Sequence, residues 1–277
     1  MTYHEGVYDV TDFLPLHPGA DKLLLAAGGS IEPFWDILAV HKENQAIHDR
    51  LESYRIGNLK EDGIKTIEDD PYQWEPIRNR RLVINNYTPF VGETPLDVLC
   101  GDFITPTELF FVRNHLPVPE IDPSEYSLEI GGNCDLLFCL ICSIQTSGIG
   151  VGKKSFTLDD LKKFPPHTVI STLQGAANRR DELTEVRPLP FIKFSGGCCG
   201  NAVWKGARLR DVLNAAGFDE KMENCNRCHV VFEGLDTGPA GSHYSASIPI
   251  EKAVDHHGDV LLAYEMNGEP LSPDHGY

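Results

Sequence analysis

The stretch 14–41, LPLHPGADKLLLAAGGSIEPFWDILAVH, constrains this chain more than any other. It sets two histidines, His17 and His41, at either end of an apolar run. His17 opens a His-Pro-Gly turn, in which Pro18 restricts φ and Gly19 lets the backbone approach something bulky. Leu23, Leu24, Leu25, Phe34, Trp35 and Val40 supply enough apolar surface to line a slot. Neutral imidazole is a good ligand for iron, and two imidazoles on opposite sides of one iron leave no position open for substrate. Such a site moves electrons. Taken alone, the pair also fits two unrelated histidines, one in a turn and one on a helix.

With 277 residues, 41% hydrophobic and 23% charged, the chain has the composition of a soluble globular protein with one large or two ordinary domains. The formal charge of −17 argues against nucleic acid or an anionic membrane as partner. It suits a basic protein partner, and it equally serves solubility. The longest apolar run, 136–144, is far shorter than the roughly 20 residues of a membrane span. No signal or transit peptide precedes the first unit, which starts almost on a strand, so the chain reads as an incomplete or processed product.

Eight cysteines include two CxxC pairs, Cys139/Cys142 and Cys225/Cys228, the second followed by His229. The CxxCH spacing is that of a covalent haem attachment, but His229 also opens the strand-like HVVFEGLD. Small buried or surface thiols account for most of these cysteines.

The predicted order of elements is a strand over 6–11, the His17 turn, a helix from about Asp21 and helical periodicity over 36–54. Residues 61–82 are charged and poor in aliphatics, a hinge or linker. From residue 83 the pattern turns to mixed strands and short helices. Strands are predicted over 127–130 and 167–174, and Thr157 with Asp160 reads as a capping box. A helix is predicted over 206–216, and Asn267-Gly268 marks a hairpin within 260–271. The fold class is α+β in two units, 1–60 and 83–277.

Three pieces of the second unit carry chemistry. FFVRNHLPVP (110–119) sets Arg113, Asn114 and His115 between aromatics and prolines, which suits an oxyanion, although the piece taken alone favours a solvated loop. STLQGAANRR (171–180) empties a strand into a small-residue turn ending in Arg179 and Arg180. The loop 232–250 presents Asp236 and Tyr244.

VYDVTDF…HPG…H resembles the haem-binding core of the cytochrome b5 family over residues 3–60. The pieces FFVRNHLPVP, TLQ-x-A-x-NRR, EGLD, SxSIP, LAYEMNG and DHG, in that order, resemble the molybdopterin domain of the sulfite oxidase family. A b5-like unit ahead of the molybdenum unit is similar to the animal sulfite oxidases. The resemblance implies b-type haem held by His17 and His41, with Glu43 and Gln45 at its edge. It implies a molybdenum–molybdopterin cofactor contacted by Phe110, Phe111, Val112, Arg113, Asn114, Gly175, Asp236 and His275, and a sulfite pocket of Arg113, Arg180 and Tyr244. It also implies oxidation of sulfite to sulfate, cytochrome c as electron acceptor, and the mitochondrial intermembrane space.

The chain departs from that family at Gly175, where the family places its molybdenum-ligating cysteine. Cys198 and Cys199 are nearest in sequence, but their segment matches poorly and they receive no role. Turnover is therefore expected to fall heavily, which leaves a non-catalytic relative or a plain b5-type electron carrier as alternatives. Residues 134–151 look like an insertion. The end at Tyr277 implies that a downstream cofactor-binding arginine and the family's dimerisation domain are missing, and the b5-like unit lacks its first strand.

Overall fold

The computed structural model describes residues 1–17, 23–24, 26–37, 41, 44–60, 72, 75–131, 140–141, 153–187, 192–218, 229–238, 243–258 and 260–276. The N-terminal part carries an antiparallel sheet of β1 (Thr2–Tyr3), β2 (Gly6–Tyr8) and β3 (Arg55–Asn58) in the order β1-β2-β3. β2 is shorter than predicted, because the chain turns into a 3-10 helix at Thr11–Leu16 that delivers His17. Within and beside the periodicity over 36–54, the helices Glu32–Ile37 and Gln45–Glu52 are described, and His41 between them is also helical. The second starts afresh because the Asn44 side chain accepts a hydrogen bond from the Ala46 N–H, capping donors that a continuous helix would have satisfied itself. Tyr8, Val10, Ala26, Ile31, Trp35 and Leu51 form the core of this part.

In the rest of the chain, β4 (Val83–Tyr87), β5 (Phe90–Glu93) and β6 (Val112–Arg113) form one antiparallel sheet. β7 (Ser127–Ile130) pairs with β9 (Lys154–Thr157), while β8 (Leu140–Ile141) lies parallel to β12 (His229–Thr237), whose other edge takes β13 (His243–Pro249). The largest sheet has the order β10 (Pro166–Gln174), β11 (Cys199–Arg208), β14 (Leu261–Met266), β15 (Glu269–Pro270). The last two strands are the predicted hairpin, with Asn267 and Gly268 both at positive φ, 53° and 86°, as a two-residue turn of the primed kind demands.

The predicted capping box forms in full: Thr157 Oγ1 accepts from the Asp160 N–H, and the Asp160 carboxylate accepts from the Thr157 N–H. The helix predicted over 206–216 begins later, at Leu209, since Gly206 to Arg208 complete β11. Leu209, Val212, Leu213 and Ala216 are buried at helical spacing, and Gly217 at φ 98° ends the helix. These four join Leu128, Ile130, Phe156 and Val230 in the main core. No described helix is long and apolar enough to cross a membrane.

The residues predicted as linker do not all hang free. Arg78 packs its guanidinium 4.0 Å from the centre of the Phe90 ring and pairs with Asp274 near the far end of the chain.

Candidate cofactor and anion site

A cavity of about 750 Å³ opens where several separate segments meet. β6 brings in Arg113, followed by Asn114 and His115; the turn after β10 brings Gly175, and the helix Arg180–Val186 starts with Arg180 at its wall. β12 and β13 add Asp236 and Tyr244, and 273–276 closes the ring with Asp274 and His275. That volume suits a cofactor-sized ligand.

The walls are held by pairings distant in sequence. Asp274 accepts from Arg78 Nε at 2.8 Å and from Asn114 Nδ2 at 2.9 Å, tying the strand that bears Arg113 to the segment that bears His275. His275 Nε2 lies 3.2 Å from the Phe111 carbonyl and Nδ1 lies 2.8 Å from Ser272 Oγ. A carbonyl only accepts, so the proton sits on Nε2 and Nδ1 accepts from the hydroxyl. Burial lowers the pKa of His275 and keeps it in this neutral form.

The guanidinium groups of Arg113 and Arg180 lie 5.9 and 5.6 Å from the centre of the buried Phe194 ring. One aromatic platform thus aims two cations at the same space. Burial lowers the Arg113 pKa, and Arg180 adds to that through like-charge repulsion, which a bound anion would relieve. His115 stacks on Tyr244, and desolvation with the nearby Arg113 charge pushes its pKa down to about 4. The imidazole therefore adds no third cation at neutral pH. Burial raises the Asp236 pKa.

Cys198 is the residue that sequence reasoning passed over. β10 and β11 pair with Leu173 opposite Gly200 and Gln174 opposite Cys199, so the next register position sets Gly175 opposite Cys198. The Gly175 N–H donates to the Cys198 carbonyl at 2.8 Å, carrying the ladder one step further. Cys198 is 1% exposed and lines the cavity, and a Cβ built on Gly175 would overlap its sulfur. Burial pushes the thiol up to about 11. The usable signal in the sequence was the pair of strands flanking TLQG and GGCCG, whose antiparallel register brings the two positions together.

Of the other predicted contacts, Phe110 and Val112 are buried behind the cavity wall, at 1% and 3% exposure, and Phe111 packs partly buried against the same core. At the N-terminal site, His17 and His41 face each other with ring centroids 6.1 Å apart and planes 22° from parallel. Phe13 lies edge-on to His17, and Trp35 is nearly parallel to His41. Burial and the neighbouring His41 lower the His17 pKa, favouring the neutral form that ligates a metal. Gln45 is exposed and donates to Asp49, while Glu43 lies outside the described residues.

Residues 115–277 match the oxidoreductase molybdopterin binding domain, more than half of the chain. The chain belongs to that family. Residues 1–60 match the cytochrome b5-like heme/steroid binding domain. Among relatives of this molybdopterin-domain protein, the mitochondrial sulfite oxidase of Drosophila melanogaster is 44% identical over 100% of this chain and 45% of its own. The sulfite oxidase of Gallus gallus is also 44% identical, over 100% of this chain and 57% of its own. The mitochondrial enzyme of Homo sapiens matches at 44% over 100% of this chain and 48% of its own. The chain therefore spans about half the length of the curated relatives it matches.

The described residues fit both cofactors. Two cations, a neutral histidine held in place through both of its ring nitrogens, and one buried sulfur are a set of groups suited to an anionic pterin carrying a soft metal. The 6.1 Å between the ring centres of His17 and His41 would let the two imidazoles hold one iron between them.

Proposed function

We propose that this protein oxidises sulfite to sulfate in the 750 Å³ cavity and sends the electrons singly through b-type haem between His17 and His41 to cytochrome c. The balance is sulfite and water giving sulfate, two protons and two electrons. The observation that carries the reading is the convergence of Arg113, Arg180 and Tyr244 on one cavity that also holds a sulfur.

The molybdenum–pterin group, when bound, supplies the oxygen-transfer and two-electron chemistry. The protein's own residues do the rest. Arg113 and Arg180 bind and orient a small dianion, and Phe194 beneath them limits their swing. The Tyr244 phenol donates a hydrogen bond to an anion oxygen, its ring fixed by His115. His275, Asp236 and Asn114 contact the cofactor, with Phe110 to Val112 as packing beneath it, and Gln45 and Glu43 lie toward the haem edge. The charge of −17 suits a basic acceptor such as cytochrome c. With the activity we carry over the mitochondrial compartment of the named relatives, in the intermembrane space.

A second reading, haem and pterin bound without turnover, draws on the absence of a side chain at Gly175. The Cys198 sulfur beside that position weakens it. An anaerobic visible spectrum of the cofactor-loaded protein, taken before and after sulfite and then after dithionite, tests the proposal. Reduction of the haem by sulfite alone is expected. Reduction only by dithionite would overturn the sulfite chemistry and leave the haem assignment standing.

A further inference from the structure

We propose that Cys198 is the protein's thiolate ligand to the cofactor's metal, delivered from the loop before β11 into space that a side chain at position 175 would otherwise take. The inference rests on the cofactor of the family, not on sulfite as substrate.

Four observations carry it. Cys198 is 1% exposed yet lines the 750 Å³ cavity, so its side chain borders that void while shut off from bulk solvent. No side-chain group among the described residues hydrogen-bonds that sulfur, although its own backbone N–H is held by Asn178 Oδ1 at 3.0 Å. The cross-strand bond from Gly175 to the Cys198 carbonyl fixes the two positions together, and the overlap of a Gly175 Cβ with the sulfur makes them alternatives: a side chain at 175 would displace the one at 198. Finally, Arg113 lies within electrostatic reach of the thiol and supplies a counter-charge for its ionised form.

Thiolate is the soft donor that a soft metal selects, and binding exchanges the S–H bond for a metal–sulfur bond while the proton leaves to solvent. Glycine at 175 is then no lesion. It is the space the relocated sulfur requires.

X-ray absorption at the molybdenum edge of the cofactor-loaded full chain counts the metal's sulfur neighbours without sulfite present. The wild-type protein is expected to show one sulfur more than the cofactor alone provides. Cys198→Ser should lose one, with molybdenum content followed by elemental analysis. The exchange variant Gly175→Cys/Cys198→Gly, which returns the sulfur to the other strand, should recover it. A wild-type count equal to that of the cofactor alone overturns the proposal whatever the variants do, and so does a full count in Cys198→Ser. A protein that keeps the extra sulfur but whose haem sulfite does not reduce would refute the sulfite reading and leave Cys198 as ligand.

Discussion

The imidazole of His115 lies against the phenol ring of Tyr244, with centroids 4.6 Å apart and planes 20° from parallel. Both rings line the cavity, where the chain leaving β6 meets β13. Holding the imidazole neutral adds no further repulsion to the two arginines.

The first prediction concerns acid stability. The folded pKa of His115, about 4, is below the ordinary 6.5, so the unfolded chain takes up a proton first as pH falls. The stabilisation is complete above pH 6.5 and is lost progressively toward pH 4. Urea unfolding of His115→Gln should show a flatter acid limb in that window than the parent. An unchanged limb would mean that other groups set it.

The second concerns the anion. Arg180→Gln removes one of two charge-assisted donors, a loss of about 1.5–3 kcal/mol, or roughly ten- to a hundredfold in kcat/KM for sulfite. Steady-state kinetics, with cytochrome c as acceptor and Mo content matched, provides the check. Equal kcat/KM in variant and parent would remove Arg180 from the substrate site.

A third follows from the haem slot. His17→Ala and His41→Ala each delete one side of the facing pair, so most of the bound haem and its low-spin reduced spectrum should be lost from either variant. Retention of both in either one would mean that the iron is held elsewhere.

The fourth addresses the tie between Arg78 and the segment 273–276. Arg78 and Asp274 are paired at 2.6 Å with side chains only 9% and 8% exposed. Arg78→Ala leaves the Asp274 and Glu75 carboxylates without their shared cation, so it should destabilise this part by about 3 kcal/mol, seen as a lower denaturant midpoint. Asp274 also accepts from Asn114, and the same variant should weaken pterin retention. A midpoint within error of the parent would show that the pair contributes little.

Much of the local structure was legible because it obeys short-range rules. The Thr157–Asp160 capping box, the Asn267-Gly268 hairpin and the strand over 127–130 each depend on residues within a few positions of one another. Where the reading slipped, a local feature had competed with periodicity: Asn44 restarts a helix that the apolar spacing alone would continue, and β11 keeps Gly206 to Arg208 extended because pairing with β14 satisfies their backbone.

By itself, the sequence placed two histidines at either end of an apolar run and two arginine-bearing segments suited to an anion, and its resemblance to the sulfite oxidase family pointed to Asp236, Tyr244 and His275. It also showed the empty position at 175. Only the tertiary structure decided that those segments surround one cavity, that Phe194 lies beneath both arginines, and that a sulfur from Cys198 stands beside Gly175. The physical reason is range. Propensity and capping act over a few residues, whereas the register of β10 on β11 sets positions 175 and 198 opposite each other through hydrogen bonds between strands that are far apart along the chain.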